Sequence, residues 1–177
     1  MGGKIVDVDV VDQLRTAYED NDSQAFKRLL REHPEHMRSK DGTEYWMWMA
    51  AMQQKLPILQ AVVELGIDVN ESHDDQSAES SPFFEPEGPI LQAASGGDYE
   101  ITKWLLDHGA RNNYTVNGKP RCLPLIEAAT QGHLEVVKLL IEHGADFRST
   151  WNGLNAMSQA EEFGHVQIRD YLQSLQK

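Results

Sequence analysis

The sequence predicts an all-α solenoid of about five helix–turn–helix units, and three observations carry that expectation. First, residues 89–111 and 124–146 repeat almost in register at an offset of 35, sharing Pro, an Ala-Ala pair, a turn Gly and a closing His-Gly-Ala. A repeat of about 33 residues containing two short helices marks a stacked array. Second, Ala17, Ala50, Ala93, Ala128 and Ala160 fall at equivalent positions, with spacings of 33, 43, 35 and 32. Third, Gly97, Gly132 and Gly164 each follow that Ala by four residues, where a helix would end and turn.

Each unit reads as a helix, a tight turn, a second helix and a loop. The first helix is short and Ala-bearing, so neighbouring helices can approach closely. The second carries apolar residues at helical spacing: Leu134, Val137, Leu140 and Ile141 in one unit, Tyr99, Ile101, Leu105 and Leu106 in the preceding one. His108-Gly109 and His143-Gly144 close these helices, and Gly66 does so after Val62-Val63-Glu64-Leu65. Glycine suits the left-handed cap, and a cationic His suits a helix C-terminus.

The first unit is polar, lacks the closing Gly and reads as an N-terminal cap; the last is shortened and reads as a C-terminal cap. The expected organisation is a single domain, residues 1–177, with units at about 9–40 (cap), 41–72, 85–113, 118–148 and 151–177 (cap), and an insertion at 71–88.

Gly132-His133-Leu134-Glu135-Val136-Val137-Lys138-Leu139-Leu140, Gly144-Ala145-Asp146 and Leu65-Gly66-Ile67-Asp68-Val69-Asn70 resemble the ankyrin-repeat family over about residues 8–177. The resemblance implies an ankyrin-repeat solenoid, a protein-binding role and no catalytic role. It is specific for fold and nearly silent on biological role. The departures are instructive. The family's Thr-Pro-Leu-His opening is absent; Pro89 and Pro124 remain, but the His position holds Trp48, Leu91, Ile126 and Ser158. Gln54 stands where the helix–helix turn has Gly, which predicts a rearranged turn, because a positive φ is costly for Gln. Pro57 follows, where the first turn of a helix tolerates it.

Composition narrows the function classes. The 177 residues carry 28 Asp and Glu against 16 Lys and Arg, a net charge of −12. That argues against nucleic acid and anionic membrane as partners, because both require a basic footprint. No Lys or Arg lies between Lys55 and Lys103, a window holding ten carboxylates. It reads either as a solubility feature or as a patch that steers a basic partner. No run approaches the length of a membrane span, and no signal segment is evident at the start. A lone Cys122 permits no internal disulfide and fits a reducing, cytoplasmic setting. The three sequons, at Asn21, Asn70 and Asn113, are read as chance.

Chemistry is not evident. His73-Asp74-Asp75 converges poorly for a metal, and no phosphate loop, His-Glu-x-x-His motif or triad occurs. No cofactor, metal or catalytic residue is expected.

Three segments leave the repeat pattern. The 71–88 insertion holds six acidic residues, four Ser, two Pro and the pair Phe83-Phe84, and reads as a tolerated loop or a binding finger. Residues 112–123 contain Asn117-Gly118, a hairpin signal, flanked by Tyr114. Tyr45-Trp46-Met47-Trp48-Met49 with Met52 packs a widened repeat or forms an adaptable contact surface. From the resemblance, Met47, Ala50 and Ala51 face the core, while Met49, Met52 and Gln53 face a groove that later turns polar. The expected partner surface is Trp46, Trp48, Met49, Met52, Gln53, Asp74, Asp75, Phe83, Phe84, Glu85, Glu87, Gln92, Tyr114 and Glu127. The expected role is a stoichiometric, immunity- or antitoxin-like inhibitor of a basic protein, monomeric when free. An adaptor or scaffold subunit is the alternative, and an enzyme a remote one.

Overall fold

The computed structural model describes residues 8–37, 46–70, 88–116 and 119–176. Within them the chain forms ten α-helices and one small hairpin: α1 (Val8–Glu19), α2 (Ser23–Glu32), α3 (Trp46–Met52), α4 (Leu56–Glu64), α5 (Pro89–Ser95), α6 (Tyr99–Asp107), β1 (Tyr114–Val116), β2 (Lys119–Arg121), α7 (Leu123–Gln131), α8 (Leu134–Glu142), α9 (Ala156–Glu162) and α10 (Val166–Ser174). A short 3-10 turn, Pro34–His36, follows α2. The helices pair as five antiparallel units, which is the all-α repeat architecture read from the sequence. From α3 onward each helix has only seven or nine residues. Isolated helices that short are marginal in water, so packing must hold them.

The helices group into two compact units, residues 1–68 and 69–177. In the first, α1 packs on α2, α3 on α4, and α2 on α4. Its core holds Leu14, Phe26, Leu30, Ile58, Leu59 and Val62. Trp46 meets Phe26 edge-on with centroids 5.0 Å apart and lies 5.5 Å from Tyr18. Lys55 lies over the Tyr18 ring, 5.0 Å from its centroid.

In the second unit the first helices stack as α5–α7–α9 and the second helices as α6–α8–α10. Ala93, Ala128 and Ala160 are each fully buried along the first row. A methyl side chain there lets helix backbones come close. Ile101, Leu105, Val137, Leu140, Ile168 and Leu172 fill the space between rows.

The turn between paired helices repeats in all five units. Its pivot is left-handed at Asn21 (φ 56), Gln54 (φ 58), Gly97 (φ 70), Gly132 (φ 86) and Gly164 (φ 77). The turn at Gln54 is therefore kept rather than rearranged, and Gln adopts the left-handed conformation at its cost. Flanking bonds hold it there: Lys55 N–H donates to the Ala50 carbonyl at 2.8 Å, as His133 N–H does to Ala128 at 2.9 Å. Pro57 occupies the first turn of α4.

Candidate protein-binding surfaces

The first helices of the units present a face that stacking does not use. In α3, Met47, Ala50 and Ala51 are buried, Trp48 and Met49 are half-buried, and Met52 faces solvent with 44% of its surface exposed, as does Gln53 just past the helix end. Trp46 is a correction to the expected surface. It is 3% exposed, and its Nε1–H donates to the His36 carbonyl at 3.0 Å. The helical period explains this: Trp46 lies four residues before Ala50, on the same buried face.

In the second compact unit the corresponding positions are polar. Gln92 and Glu127, each one residue before the buried Ala of its helix, are half-buried; Gln159 is 8% exposed. Gln159 Nε2–H donates to Glu162 at 3.1 Å. The Thr130 hydroxyl lies 2.8 Å from the Ile126 carbonyl and 3.3 Å from Gln159 Oε1. This row can donate and accept hydrogen bonds to a polypeptide.

The loop edge is built by asparagines. Asn70 donates to the Gly109 carbonyl at 3.2 Å and accepts from Arg111 N–H at 2.7 Å. Asn113 repeats the pattern with Gly144 at 2.8 Å and Asp146 N–H at 3.0 Å. Each amide thus ties a loop to the end of a following helix. Buried Asn112 adds bonds to the Leu140 and His143 carbonyls, at 3.2 and 3.0 Å. From this base β1 and β2 pair antiparallel, Val116 opposite Lys119, as Asn117-Gly118 predicts. Tyr114 opens β1. Sequence reading missed a second, smaller turn of the same chemistry. Trp151 and Leu154 bridge across Asn152 and Gly153, both with positive φ. That dipeptide was the available signal. Asp74, Asp75, Phe83, Phe84, Glu85 and Glu87 lie outside the described residues.

Three further groups bear on chemistry. Cys122 is fully buried, its Sγ donates to the Asn112 carbonyl at 2.9 Å, and burial pushes its thiol up to about 12, so it is a packed thiol. A hydrogen bond from Lys103, with a smaller contribution from His143, holds the Asp107 carboxyl below the usual range. Among the described residues no group of His, Cys, Asp and Glu could hold a metal ion, and no helix is long and apolar enough to cross a membrane.

Two family models for ankyrin repeats match the sequence, one over residues 47–106 and one, described as three copies, over residues 90–176. The chain belongs to the ankyrin-repeat family. No curated protein matches it. Ankyrin repeats are protein–protein interaction modules and are generally non-enzymatic, so the surfaces above are read as those of an interaction module.

Proposed function

We propose that this ankyrin-repeat chain is a non-enzymatic, stoichiometric binder of a basic protein, acting as an immunity- or antitoxin-like inhibitor in the cytoplasm and monomeric when free. The observation that carries the reading is the exposed side of α3. Met52 and Gln53 face solvent beside the buried Ala50 and Ala51, so a flexible apolar side chain is displayed where stacking does not need it. The excess of 28 acidic over 16 basic residues gives the charge a basic partner would seek. Met49, Met52 and Gln53 form the contact set of the first compact unit. Gln92, Glu127 and Tyr114 form that of the second, and Trp48 is retained as a half-buried neighbour. Asp74, Asp75, Phe83, Phe84, Glu85 and Glu87 are proposed from the sequence alone, as is action of residues 1–177 as one domain.

Purification of the native complex tests this. An inhibitor brings down one basic partner at equal stoichiometry, and that partner's activity falls on binding. Recovery of two distinct partners bridged by the chain would make it an adaptor. Association should slow as salt rises, and neutralising Asp74, Asp75, Glu85 and Glu87 together should lower the on-rate more than it raises the off-rate. A salt-independent on-rate removes steering and leaves the charge as a solubility feature.

A further inference from the structure

The second compact unit exposes apolar side chains at one repeated position. Tyr99, Leu134 and Val166 each open the second helix of a unit, two residues after the left-handed glycines Gly97, Gly132 and Gly164. Tyr99 is 40% and Val166 50% exposed, with Leu134 half-buried between them in the stack. Phe163, just before Gly164 and three residues before Val166, is 56% exposed. Single exposed apolar residues need no explanation, whereas a contiguous row marks a contact.

The spacing suggests what fits. Helices α6, α8 and α10 pack in succession, and packed helices lie about 8–10 Å apart. A partner α-helix rises about 10.5 Å every seven residues. Apolar side chains at every seventh position would therefore meet Tyr99, Leu134 and Val166 in turn. The rim supplies the sign of charge. Glu100 and Glu161 are exposed in the turns and helix starts that carry the row, and Glu162, which accepts from Gln159, adds a third carboxylate; Glu135 is matched by Lys138. The nearby cations are already engaged, Lys103 with Asp107, Lys138 with Glu135 and Arg169 with Asp170.

We propose that this row docks an amphipathic helix of a partner protein, with apolar residues at seven-residue intervals and Lys or Arg flanking them. Its three repeated positions are on α6, α8 and α10, not on α3 or on the helices that carry Gln92 and Glu127. It shares with the function proposed above only the premise that the chain binds protein.

The test uses the full chain, isotopically labelled, and a synthetic helical peptide about 18 residues long, roughly 27 Å as a helix. The peptide carries Leu at every seventh position and Lys on both flanks; a twin carries Glu in place of Lys. The Lys peptide should shift backbone amides around Tyr99, Leu134, Phe163 and Val166. Phe163→Lys and Val166→Lys, both solvent-facing, should each weaken binding about tenfold or more while leaving the melting temperature unchanged. Met52→Ala, which probes the α3 surface, should leave this peptide's affinity unchanged. The proposal is overturned by shifts confined elsewhere, by full affinity in the Phe163→Lys, Val166→Lys double variant, or by equal binding of the Glu twin. It is also overturned if sedimentation shows a dimer of the chain that these variants dissolve, since the occupant would then be a second copy. Loss of partner binding on Met52→Ala with no effect on the peptide would support both surfaces independently.

Discussion

The His165 ring fills the space that a side chain on Gly132 would need. A Cβ on Gly132 would lie 2.6 Å from His165 Cε1, and His165 Nε2 donates to the Thr130 carbonyl at 2.9 Å. The preceding step repeats the relationship. His133 occupies the space above Gly97, at 2.5 Å from such a Cβ, and its Nε2 donates to the Ser95 carbonyl at 3.0 Å. Glycine at this turn thus satisfies two demands, a positive φ and an aromatic ring from the next unit.

The two demands are separable by substitution. Gly144 has a similar φ of +82 but nothing within 4 Å of where its Cβ would sit, whereas Gly132, at φ +86, has the ring. Gly144→Ala should cost about 1 kcal/mol for the left-handed conformation alone. Gly132→Ala should cost at least about 2 kcal/mol, because the ring must also move. Urea unfolding of both variants checks the difference; equal losses would mean that His165 yields without cost.

Lys55 occupies the position in its unit that His133 and His165 hold in theirs. Its Nζ donates to the Tyr18 and Glu19 carbonyls at 2.9 and 3.1 Å. An ammonium group replaces the imidazole while the acceptors stay in the preceding turn. Lys55→Met keeps the apolar stem and removes the donor, and should destabilise the protein by about 1 kcal/mol. Lys55→Ala should cost more, because it also removes the half-buried apolar stem. If the two variants melt together, the stem contributes nothing.

Much of this was legible in the sequence. The five Ala positions gave the units, and four residues on from each lies the left-handed pivot, including the non-glycine cases Asn21 and Gln54. Asn117-Gly118 gave the hairpin. Legibility failed where one residue type serves two environments. Trp46 and Trp48 read alike as interface aromatics, yet their positions on the helix bury the first and leave the second partly exposed. His165 directly follows the turn Gly164, but its partner Thr130 lies 35 residues away, beyond local pattern. Ser158, in the position where the family places His, proved to complete a capping box with Asn155, at 2.8 and 3.0 Å, so the last unit has its own solution to the missing His.

Tyr18 is 3% exposed, and its hydroxyl has no hydrogen-bond partner among the described residues; burial raises its ionisation well above the ordinary value. An unsatisfied buried hydroxyl is destabilising, so Tyr18→Phe should stabilise the fold by about 1 kcal/mol at neutral pH. The advantage should widen above about pH 10. There the unfolded tyrosine ionises and the folded one does not, so the wild-type protein loses stability as pH rises and the variant escapes that loss. Equal stabilities across this range would mean the hydroxyl is satisfied by water.

Asp107 provides a titration test. Its folded carboxyl lies below the ordinary value, chiefly through Lys103, so its contribution is present above the unfolded pKa and lost as pH falls through the folded one. In Lys103→Met the Asp107 carboxyl resonance should titrate closer to the ordinary value. His143→Gln should produce the smaller change in the same direction, because His143 stands 3.6 Å away rather than in the main hydrogen bond. A larger effect from His143→Gln would reverse that order.

The sharpest contrast for function lies within two turns of one helix. Trp46 and Met52 are six residues apart on α3, one 3% and the other 44% exposed. Trp46 packs on Phe26 and Tyr18 and donates to the His36 carbonyl, so Trp46→Ala removes an aromatic core and strands an acceptor. Large-to-small changes of this kind cost about 3–5 kcal/mol, a large share of the stability of a small domain. The variant should lose much of its helical circular dichroism at physiological temperature, and any binding lost with it would say nothing about the interface. Met52→Ala removes a side chain that supports little of the core, so its melting temperature should stay within about 2 °C of wild type. If α3 faces the partner, Met52→Ala should still weaken the complex, by about 1 kcal/mol or more, with most of the change in the off-rate. Normal binding by Met52→Ala, Met49→Ala and Gln53→Ala, each correctly folded, would remove α3 from the interface.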